Sequence, residues 1–540
     1  MLEPGSLAID PIDLTIIILY LVGITGVGLW SSRKEAKTTS GYFLAGRSLR
    51  WPVIGLALFA TNISTVHLVG LAADGYRVGL VIGNFEWMAA FCLVLLGLVF
   101  APFYFRNQVA TLPDYLEMRY SAGSRTVLAF MAVVGALFIH IGMSLYAGSA
   151  ILERFFGLNV YTSIIIISAV TALYTVLGGL KAVVVTESIQ TVLLLIGALA
   201  VTLFGASALS DRGISSLAQL REALPEDHMS MLQPEGGLSW YAVLLGYPVL
   251  GIWYWCADQT IVQRVLGAKT ERDAQVGPVF AGFIKILPVF LMVFPGVMAY
   301  VLFQDKIGED PNAALPVMID QLIPVGLKGL ISAGLLAALM STIAGALNST
   351  STLVSIDIVK KWKPETSDES LVRIGRITAC VVMVLAMLWS TQGGRFESIF
   401  TGINQMIACL APPITVVFLW GVFWPRGTQQ ASLVTLLLGF LVGAVVFSLD
   451  FPVFGETKWV TDVWEIPFMM QAWWLFCLCS LLFVIVSLIT PRPSANQIEG
   501  LCWKHPLAAI VSERLAGIAD PRAMALVLVA IMCALYWTFA

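Results

Sequence analysis

Apolar runs of about 18 residues or more recur along the whole sequence and are separated by short polar segments. Each run is long enough to cross the roughly 30 Å hydrocarbon core of a bilayer as a helix. The chain is 58% hydrophobic and only 12% charged, so its apolar surface exceeds what one soluble core buries. The sequence therefore predicts an all-α integral membrane protein with about fourteen transmembrane helices.

The predicted spans, numbered in chain order, are residues 14–30, 51–73, 80–105, 127–152, 161–176, 182–206, 240–262, 276–303, 329–356, 378–391, 399–423, 432–447, 473–488 and 523–539. Most of the 31 Lys and Arg residues fall in the loops that follow the odd-numbered spans. Because basic loops are retained on the cytoplasmic side, both termini are expected outside. The expected location is the plasma (inner) membrane, which the chain crosses many times.

Two spans contain residues that interrupt helices. The second carries the polar run 61–65 at mid-depth, and the seventh carries Gly246, Pro248 and Gly251. Interrupted helices at matching places in two halves of a transporter indicate a solute site, and these two lie five spans apart. The alternative is that such residues only help helices pack or kink. We therefore expect an inverted repeat, with segments 1–50 (an extra helix and inner loop), 51–206 (first repeat), 207–238 (outer loop), 239–423 (second repeat) and 424–540 (three further helices).

Ionisable residues at membrane depth are costly and are functional candidates by default. Here they are His67, Glu86, Glu187, Asp258 and Lys285. A carboxylate such as Glu86 suits a vicinal diol, and Lys285 supplies donors to a hydroxyl or an acid. A purely structural ion pair between the two is the alternative.

Three further features carry open interpretations. The aromatic run Trp253-Tyr254-Trp255 suits the apolar face of a sugar ring, or forms an interfacial belt. His140 lies deep in an apolar run and is expected to be a hydrogen-bonded packing residue. Asp258 lies near the inner boundary and is expected to pair with a neighbour such as Arg264 or with the adjacent loop.

A sodium ion is well served by carbonyl and hydroxyl oxygens. In the ninth span Ala338, Ser341 and Thr342 share one helix face at i, i+3 and i+4 spacing. Together with the break at residues 60–63 they would complete a shell of oxygen ligands. The alternative is that the two hydroxyls only bond back to carbonyls of their own helix.

Extended motifs now show a family resemblance. They are Asn62-Ile63-Ser64, Gly75-Tyr76, Phe85-Glu86-Trp87, Leu177-Gly178-Gly179-Leu180, Trp253-Tyr254-Trp255 with Asp258-Gln259 and Gln263-Arg264, Lys285, Leu347-Asn348-Ser349-Thr350 and Pro412-Pro413. These motifs resemble the sodium:solute symporter family, and within it the sodium/glucose cotransporter branch. The resemblance implies a LeuT-type core of five plus five helices in an inverted repeat, with one extra helix before it and three after it.

The resemblance also implies roles for individual residues. Sodium would be held by backbone oxygens of Ala60, Ile63 and Ala338 and by the hydroxyls of Ser341 and Thr342. The sugar would lie among His67, Glu86, Tyr254, Trp255, Lys285 and Asn404. The gates would be Leu71, Phe85 and Phe400 on the outer side and Tyr254 on the inner side.

This sequence departs from the family pattern at several positions. Asn404 stands where sugar-transporting relatives typically have Gln, and Gly251 stands where a bacterial relative has a sugar-binding Asn. Some members bind a second sodium through an Asp and nearby hydroxyls, whereas here the corresponding residues are Glu187, Ala344 and Gly345. The resemblance therefore implies one sodium per cycle.

The expected function is symport of a glucose- or galactose-like hexose with sodium, by alternating access. The alternatives are sodium-coupled transport of inositol, or of another small solute such as a carboxylate or amino acid. Sodium is the only cofactor expected, and sugar, sodium and lipid are the expected partners. No catalytic constellation or phosphate-binding loop is evident, so we expect neither an enzyme nor an ATP-driven pump. No nucleic-acid or obligatory protein partner is indicated.

Overall fold

The computed structural model describes residues 10–31, 38–157, 159–391, 399–450, 457–505 and 519–540, together with residues 508 and 517. In these residues, eleven helices are long and apolar enough to cross a membrane. Two of them cover more than one predicted span: the 40-residue His67–Arg106 contains the end of the second span and the whole third, and the 52-residue Val160–Asp211 contains the whole fifth and sixth. The seventh span is helical but broken, and is not among the eleven. The predicted multi-pass, all-helical architecture is confirmed.

Every predicted span has a helical counterpart. In chain order these are Pro11–Ser31 (first span); Trp51–Asn62 and Thr65–Val78 (second); Asn84–Leu95, Leu96–Phe100 and Ala101–Arg106 (third); Ala122–Gly135, Ala136–Met143 and Ser144–Phe156 (fourth); Val160–Asp211 (fifth and sixth); Trp240–Ile252, Trp253–Ala257 and Gln259–Leu266 (seventh); Glu271–Ile284, Val289–Val293 and Phe294–Ile307 (eighth); Leu327–Thr352, Leu353–Val359 and Lys360–Trp362 (ninth); Asp368–Ser390 (tenth); Ile399–Phe423 (eleventh); Gln429–Asp450 (twelfth); Phe468–Ile489 (thirteenth); and Pro521–Thr538 (fourteenth).

The second span is interrupted in the polar run that the sequence singled out. The helix Trp51–Asn62 gives way to extended backbone at Ile63 (φ −77°, ψ 103°) and Ser64 (φ −97°, ψ 171°). The N–H of Ser64 donates to Nδ1 of His67 at 3.3 Å rather than to the carbonyl four residues earlier. The last carbonyls of the first half-helix are therefore released from helical hydrogen bonds. The predicted break is confirmed.

The seventh span breaks later than its glycines and proline predicted. Gly246, Pro248 and Gly251 all lie within the helix Trp240–Ile252, and the break comes at Asp258 (φ −88°, ψ 123°). The predicted position of this break was wrong. The carboxylate of Asp258 accepts a hydrogen bond at 2.6 Å from the N–H of Thr260, so it caps the half-helix that follows.

The two glycines of the seventh span instead permit close helix packing. A β-carbon at Gly246 would lie 2.3 Å from the backbone oxygen of Met469 in the thirteenth span. A β-carbon at Gly251 would lie 2.6 Å from the sulfur of Cys92 in the third span. The packing interpretation is therefore the correct one at these two positions.

A tight turn at Gly179 separates the fifth span from the sixth. Gly179 has φ 64° and ψ −160°, a conformation that only glycine adopts without strain. A β-carbon there would also lie 2.5 Å from the backbone oxygen of Tyr42. The Gly178-Gly179 motif thus joins the fifth and sixth spans without a longer loop.

The ninth span lies at the centre of the bundle. In its most apolar 18-residue window 94% of the residues are buried, compared with 17% in the fourteenth span. Asp13 of the first span caps the ninth, because its Oδ1 accepts hydrogen bonds from the N–H groups of Gly326 at 2.8 Å and Gly329 at 2.6 Å. The break in the second span therefore contacts an almost fully buried helix.

Candidate functional site

The released end of helix Trp51–Asn62 lies against the middle of the ninth span. Oγ of Ser341 donates to the carbonyl oxygen of Ala60 at 2.7 Å and lies 2.9 Å from that of Ala338. Oγ1 of Thr342 donates to the carbonyl oxygen of Thr61 at 3.0 Å. Both hydroxyl-bearing side chains are buried. These residues form one compact oxygen cluster between the second and ninth spans.

The oxygen cluster differs in one respect from the expected sodium shell. Ala60, Ala338, Ser341 and Thr342 come together as expected, but Thr342 contacts the carbonyl of Thr61 and not that of Ile63. Ile63 is buried at the break, in extended backbone. All the oxygens of the cluster belong to uncharged carbonyl or hydroxyl groups. Such hard, neutral oxygen ligands suit a monovalent cation, toward which the hydroxyl lone pairs can point.

A cavity of about 100 Å³ lies beside the oxygen cluster. Thr342 belongs to both, since it lines the cavity and contacts the second span. Five of the six predicted solute-binding residues line the cavity, together with Asn62 and Ser64 from the break: His67, Glu86, Tyr254, Trp255 and Asn404. The break therefore contributes to the oxygen cluster on one side and to the cavity on the other.

The sixth predicted solute contact, Lys285, lies behind the cavity wall. Its ammonium group donates to the carboxylate of Glu86 and to the side-chain oxygen of Asn62. The rings of Trp255 and Phe59 lie 5.4 and 5.6 Å from the ammonium nitrogen. Because both charged side chains are almost fully buried, this ion pair gives the cavity a polar but neutral wall.

The break also fixes the orientation of the His67 ring. Nδ1 of His67 lies 2.9 Å from Oγ of Ser64 and accepts the Ser64 N–H, which completes a capping box at the start of the second half-helix. His67 is therefore held by its own helix while its ring lines the cavity.

Two aromatic residues of the cavity lie on a π-helical turn. Tyr254 and Trp255 belong to the segment Trp253–Ala257, directly before the break at Asp258. Their rings meet edge to face, with centroids 5.2 Å apart. π-Helical turns change the direction of side chains within a helix and often occur at functional sites. Here the turn brings two consecutive aromatic side chains to the same cavity.

Phe85 separates the cavity from a second, outer one. The outer cavity has a volume of about 300 Å³ and is lined by Phe85 and Asn404, which also line the inner cavity, and by Asp74, Arg77, Gln233 and Phe468. The ring of Phe85 packs edge to face on Tyr247 and stacks on Phe468, with centroids 6.0 and 6.3 Å away. Phe85 is therefore part of the wall that the two cavities share.

The other two residues expected at the outer gate, Leu71 and Phe400, do not share the position of Phe85 between the two cavities in the described part of the structure. Leu71 is fully buried and lines neither cavity. The side chain of Phe400 lies outside the described residues. Phe468 of the thirteenth span, which the sequence did not indicate, takes a place in the aromatic contact instead.

The guanidinium group of Arg264 lies where the resemblance places a second sodium ion. Arg264 forms an ion pair with Glu187, and the hydroxyl of Thr61 donates to the same carboxylate at 2.8 Å. A β-carbon at Gly345 would approach the Arg264 guanidinium, so the glycine makes room for that group. The carboxylate of Glu187 is therefore already neutralised by the protein itself.

A further ionisable pair at the cavity was not expected. Nε2 of His140 lies 2.8 Å from Oδ2 of Asp258, and both side chains are buried. The expectation that Asp258 pairs with a neighbour such as Arg264 or with the adjacent loop is wrong, because its partner is His140 of the fourth span and Arg264 pairs with Glu187. Each residue stood out alone as ionisable at depth, but 118 positions separate His140 from Asp258 and no sequence pattern joins them.

Comparisons with known proteins identify the family and the fold of this chain. Residues 42–439 match the model of the sodium:solute symporter family. The chain is 34% identical to sodium/myo-inositol cotransporter 2 of Sus scrofa, over 92% of this chain and 79% of that protein. It is 33% identical to sodium/glucose cotransporter 4 of Danio rerio, over 93% and 82%. The structure of a Na+-coupled sialic acid symporter is similar, with a TM-score of 0.77 and 21% identity over 90% of this chain and 99% of that one. The predicted LeuT-type fold is confirmed.

Proposed function

The chain belongs to the sodium:solute symporter family, and we propose that it couples the inward flow of one sodium ion to the uptake of one sugar, a glucose- or galactose-like hexose, by alternating access. The observation that carries this proposal is the break in the second span. Its carbonyls join the hydroxyls of Ser341 and Thr342, and its side chains Asn62, Ser64 and His67 face the cavity beside them.

Sodium and solute are coupled through three consecutive residues. The carbonyls of Ala60 and Thr61 belong to the oxygen cluster, whereas the side chain of Asn62 contacts Lys285 and lines the cavity. An ion that draws the second and ninth spans together therefore also fixes the polar wall of the cavity. Such coupling is reciprocal, so bound solute strengthens sodium binding to the same extent. Moving one charge inward through about 100 mV contributes roughly 2.3 kcal/mol to solute accumulation.

Each side of the cavity has a proposed role. Glu86, His67 and Asn404 would bind solute hydroxyls, and Trp255 would cover an apolar ring face, with Lys285 acting through Glu86. Phe85 would form the outer gate with Leu71 and Phe400, and Tyr254 the inner gate. Ile63 completes the proposed sodium ligands. Alternating access would open one gate at a time around this fixed site.

The nearest alternative solute is an inositol. Sodium/myo-inositol and sodium/glucose cotransporters are among the relatives, and a cyclitol offers the same vicinal hydroxyls to Glu86 as a hexose does. Carboxylates and amino acids are less favoured, because Lys285 is engaged by Glu86 and Asn62 and lies behind the wall. The side chain of Asn404 is shorter than the Gln that is typical of sugar-transporting relatives, which is a further reason to test both a hexose and an inositol.

Sodium-driven uptake in proteoliposomes tests the proposed function. With an inward sodium gradient we expect accumulation of labelled glucose or galactose, and no accumulation when potassium replaces sodium. Unlabelled hexoses should compete strongly, and lactate and alanine should not. Stronger competition by myo-inositol than by any hexose would assign the alternative solute. Uptake that does not depend on sodium would overturn the proposal.

One net positive charge is expected to enter with each solute molecule. Arg264 supplies a fixed cation to Glu187, so no charge remains at that place to hold a second ion. The measurement compares the solute-induced current with tracer uptake in the same voltage-clamped cells. A ratio of two charges per solute would contradict the single-sodium proposal. A Hill coefficient well above one for sodium would also contradict it.

The placement of the chain in the cell is also a proposal. The basic loops support a plasma (inner) membrane protein with both termini outside, and with the segments 1–50, 51–206, 207–238, 239–423 and 424–540 as its structural units. Labelling of single cysteines introduced near either end, with a membrane-impermeant reagent, would test this orientation.

A further inference from the structure

Asn348 in the ninth span is a buried polar residue that has no role in the site described above. It is 1% exposed, and neither atom of its side-chain amide has a hydrogen-bond partner among the described residues. Buried amide groups are normally hydrogen-bonded to protein, to water or to a ligand. The amide oxygen of Asn348 is therefore available to water or to an ion that reaches this part of the bundle.

Asn348 lies on the face of the ninth span that carries the oxygen cluster. Ser341, Gly345, Asn348 and Thr352 follow one another at i, i+4, i+7 and i+11, which is one face of an α-helix. With a rise of about 1.5 Å per residue, Asn348 lies about 10 Å along the helix from Ser341. In the proposed orientation this direction leads to the inner side, where a basic run begins at Lys360.

The half-helix Gln259–Leu266 of the seventh span covers this face on both sides of Asn348. The guanidinium of Arg264 lies against the ninth span about one turn before Asn348. About one turn after Asn348, Nε2 of Gln263 donates to Oγ1 of Thr352 at 2.7 Å. Asn348 is therefore enclosed between two contacts of the same half-helix.

Gln263 also ties this face to the segment before the second span. The same Nε2 donates to the carbonyl oxygen of Phe43 at 2.8 Å, and both residues are fully buried. Oε1 of Gln263 has no hydrogen-bond partner in the described part of the chain. The half-helix and the ninth span thus each contribute one such amide oxygen, from Gln263 and from Asn348. Uncharged, hard oxygens of this kind suit a sodium ion.

We propose that Asn348 provides a transient sodium site on the release route, with Gln263 facing the route from the half-helix, and that the ion occupies this site after it leaves the oxygen cluster. This inference rests on the proposed sodium-coupled transport and adds a step to it. An ion that leaves Ser341 and Thr342 loses its ligands in a buried part of the bundle, where an uncompensated charge is costly. The amide of Asn348 supplies the next oxygen ligand along the same helix face.

The half-helix Gln259–Leu266 controls access to this site. Arg264 places a positive charge beside the route, and Glu187 balances that charge. The backbone is already non-helical at Asp258, so the half-helix can change its angle there without the loss of further helical hydrogen bonds. Its movement away from the ninth span would draw the guanidinium back and open space at Asn348. Sodium release would then follow the opening of the inner side.

A purely structural role of Asn348 makes a different prediction. If the amide only packs between two helices, its loss slows every movement of the carrier alike. If it ligates the leaving ion, its loss slows only the turnover that includes sodium release. Exchange of labelled for unlabelled solute, with high sodium on both sides, does not require sodium release. The comparison of net uptake with exchange therefore separates the two roles.

The experiment measures both rates in proteoliposomes that contain wild-type protein or Asn348→Leu. Leucine has nearly the shape of asparagine but offers no oxygen ligand. We expect net uptake at saturating external sodium and solute to fall about 10-fold, because one oxygen ligand of a buried ion is lost. Solute exchange should remain unchanged, and the external sodium concentration for half-maximal uptake should not rise. Asn348→Thr, which keeps an oxygen, should recover most of the net uptake.

Thr350→Val is the matched control in the same helix. Thr350 is buried, and its hydroxyl donates to the carbonyl oxygen of Ala346 at 2.8 Å, so its loss should alter neither rate. Asn348→Ala is the second variant, in case Asn348→Leu does not fold. Unchanged net uptake in these Asn348 variants, or an equal reduction of net uptake and exchange, would overturn the release site. Absence of sodium-driven uptake in the wild type would instead overturn the proposed function.

Discussion

Replacing Ser341 by alanine is expected to raise the sodium concentration for half-maximal uptake by roughly 10- to 150-fold. Oγ of Ser341 lies within 3 Å of the carbonyl oxygens of both Ala60 and Ala338, at the centre of the oxygen cluster. Its removal deletes a neutral oxygen ligand from a buried site. The measurement is tracer uptake as a function of external sodium at a saturating solute concentration.

The matched control for this substitution is Ser349→Ala in the same helix. Ser349 is buried, but its hydroxyl has no hydrogen-bond partner among the described residues and it does not belong to the cluster. Its loss should leave the sodium dependence unchanged. Equal sodium dependence in Ser341→Ala, Ser349→Ala and wild type, with all three proteins correctly folded, would show that the oxygen cluster does not bind the coupled ion.

Local sequence chemistry was enough to predict the break and the helix face opposite it. Asn and Ser side chains compete with the backbone for hydrogen bonds, so Asn62 and Ser64 at mid-depth indicated an interrupted helix. The spacing of Ala338, Ser341 and Thr342 depends only on helix geometry. Neither inference needs knowledge of a distant partner, and the positions of these residues in the structure agree with both.

Tertiary partners limited the remaining inferences. The sequence around Gly246 indicated a helix break at this residue. In the structure Gly246 instead allows the backbone of Met469 to pack closely, a contact that no local sequence pattern reveals. In the same way Lys285 was correctly identified as ionisable at depth, yet only packing shows that it stands behind Glu86. The family resemblance supplied five of the residues that line the cavity, and the structure showed that Lys285 does not line it.

Neutralising one member of the Glu86–Lys285 pair is expected to destabilise the protein by about 3–5 kcal/mol and to abolish uptake. Both side chains are almost fully buried, so Glu86→Gln leaves a buried ammonium, and Lys285→Met leaves a buried carboxylate, without its counter-ion. Thermal unfolding of the purified protein measures the first effect, and tracer uptake the second. The control is Glu271→Gln, which breaks the exposed ion pair with Arg106 and should cost no more than about 1 kcal/mol.

The double variant Glu86→Gln/Lys285→Met separates a structural role of this pair from a solute-binding one. Removal of both charges leaves no unpaired ion, so most of the lost stability should return. Uptake should not return, because Glu86 lines the cavity and a neutral amide is a weaker acceptor for solute hydroxyls than a carboxylate. If uptake recovers together with stability, the pair serves only the fold. If stability recovers alone, the carboxylate of Glu86 is needed for solute binding as well as for the stability of the fold.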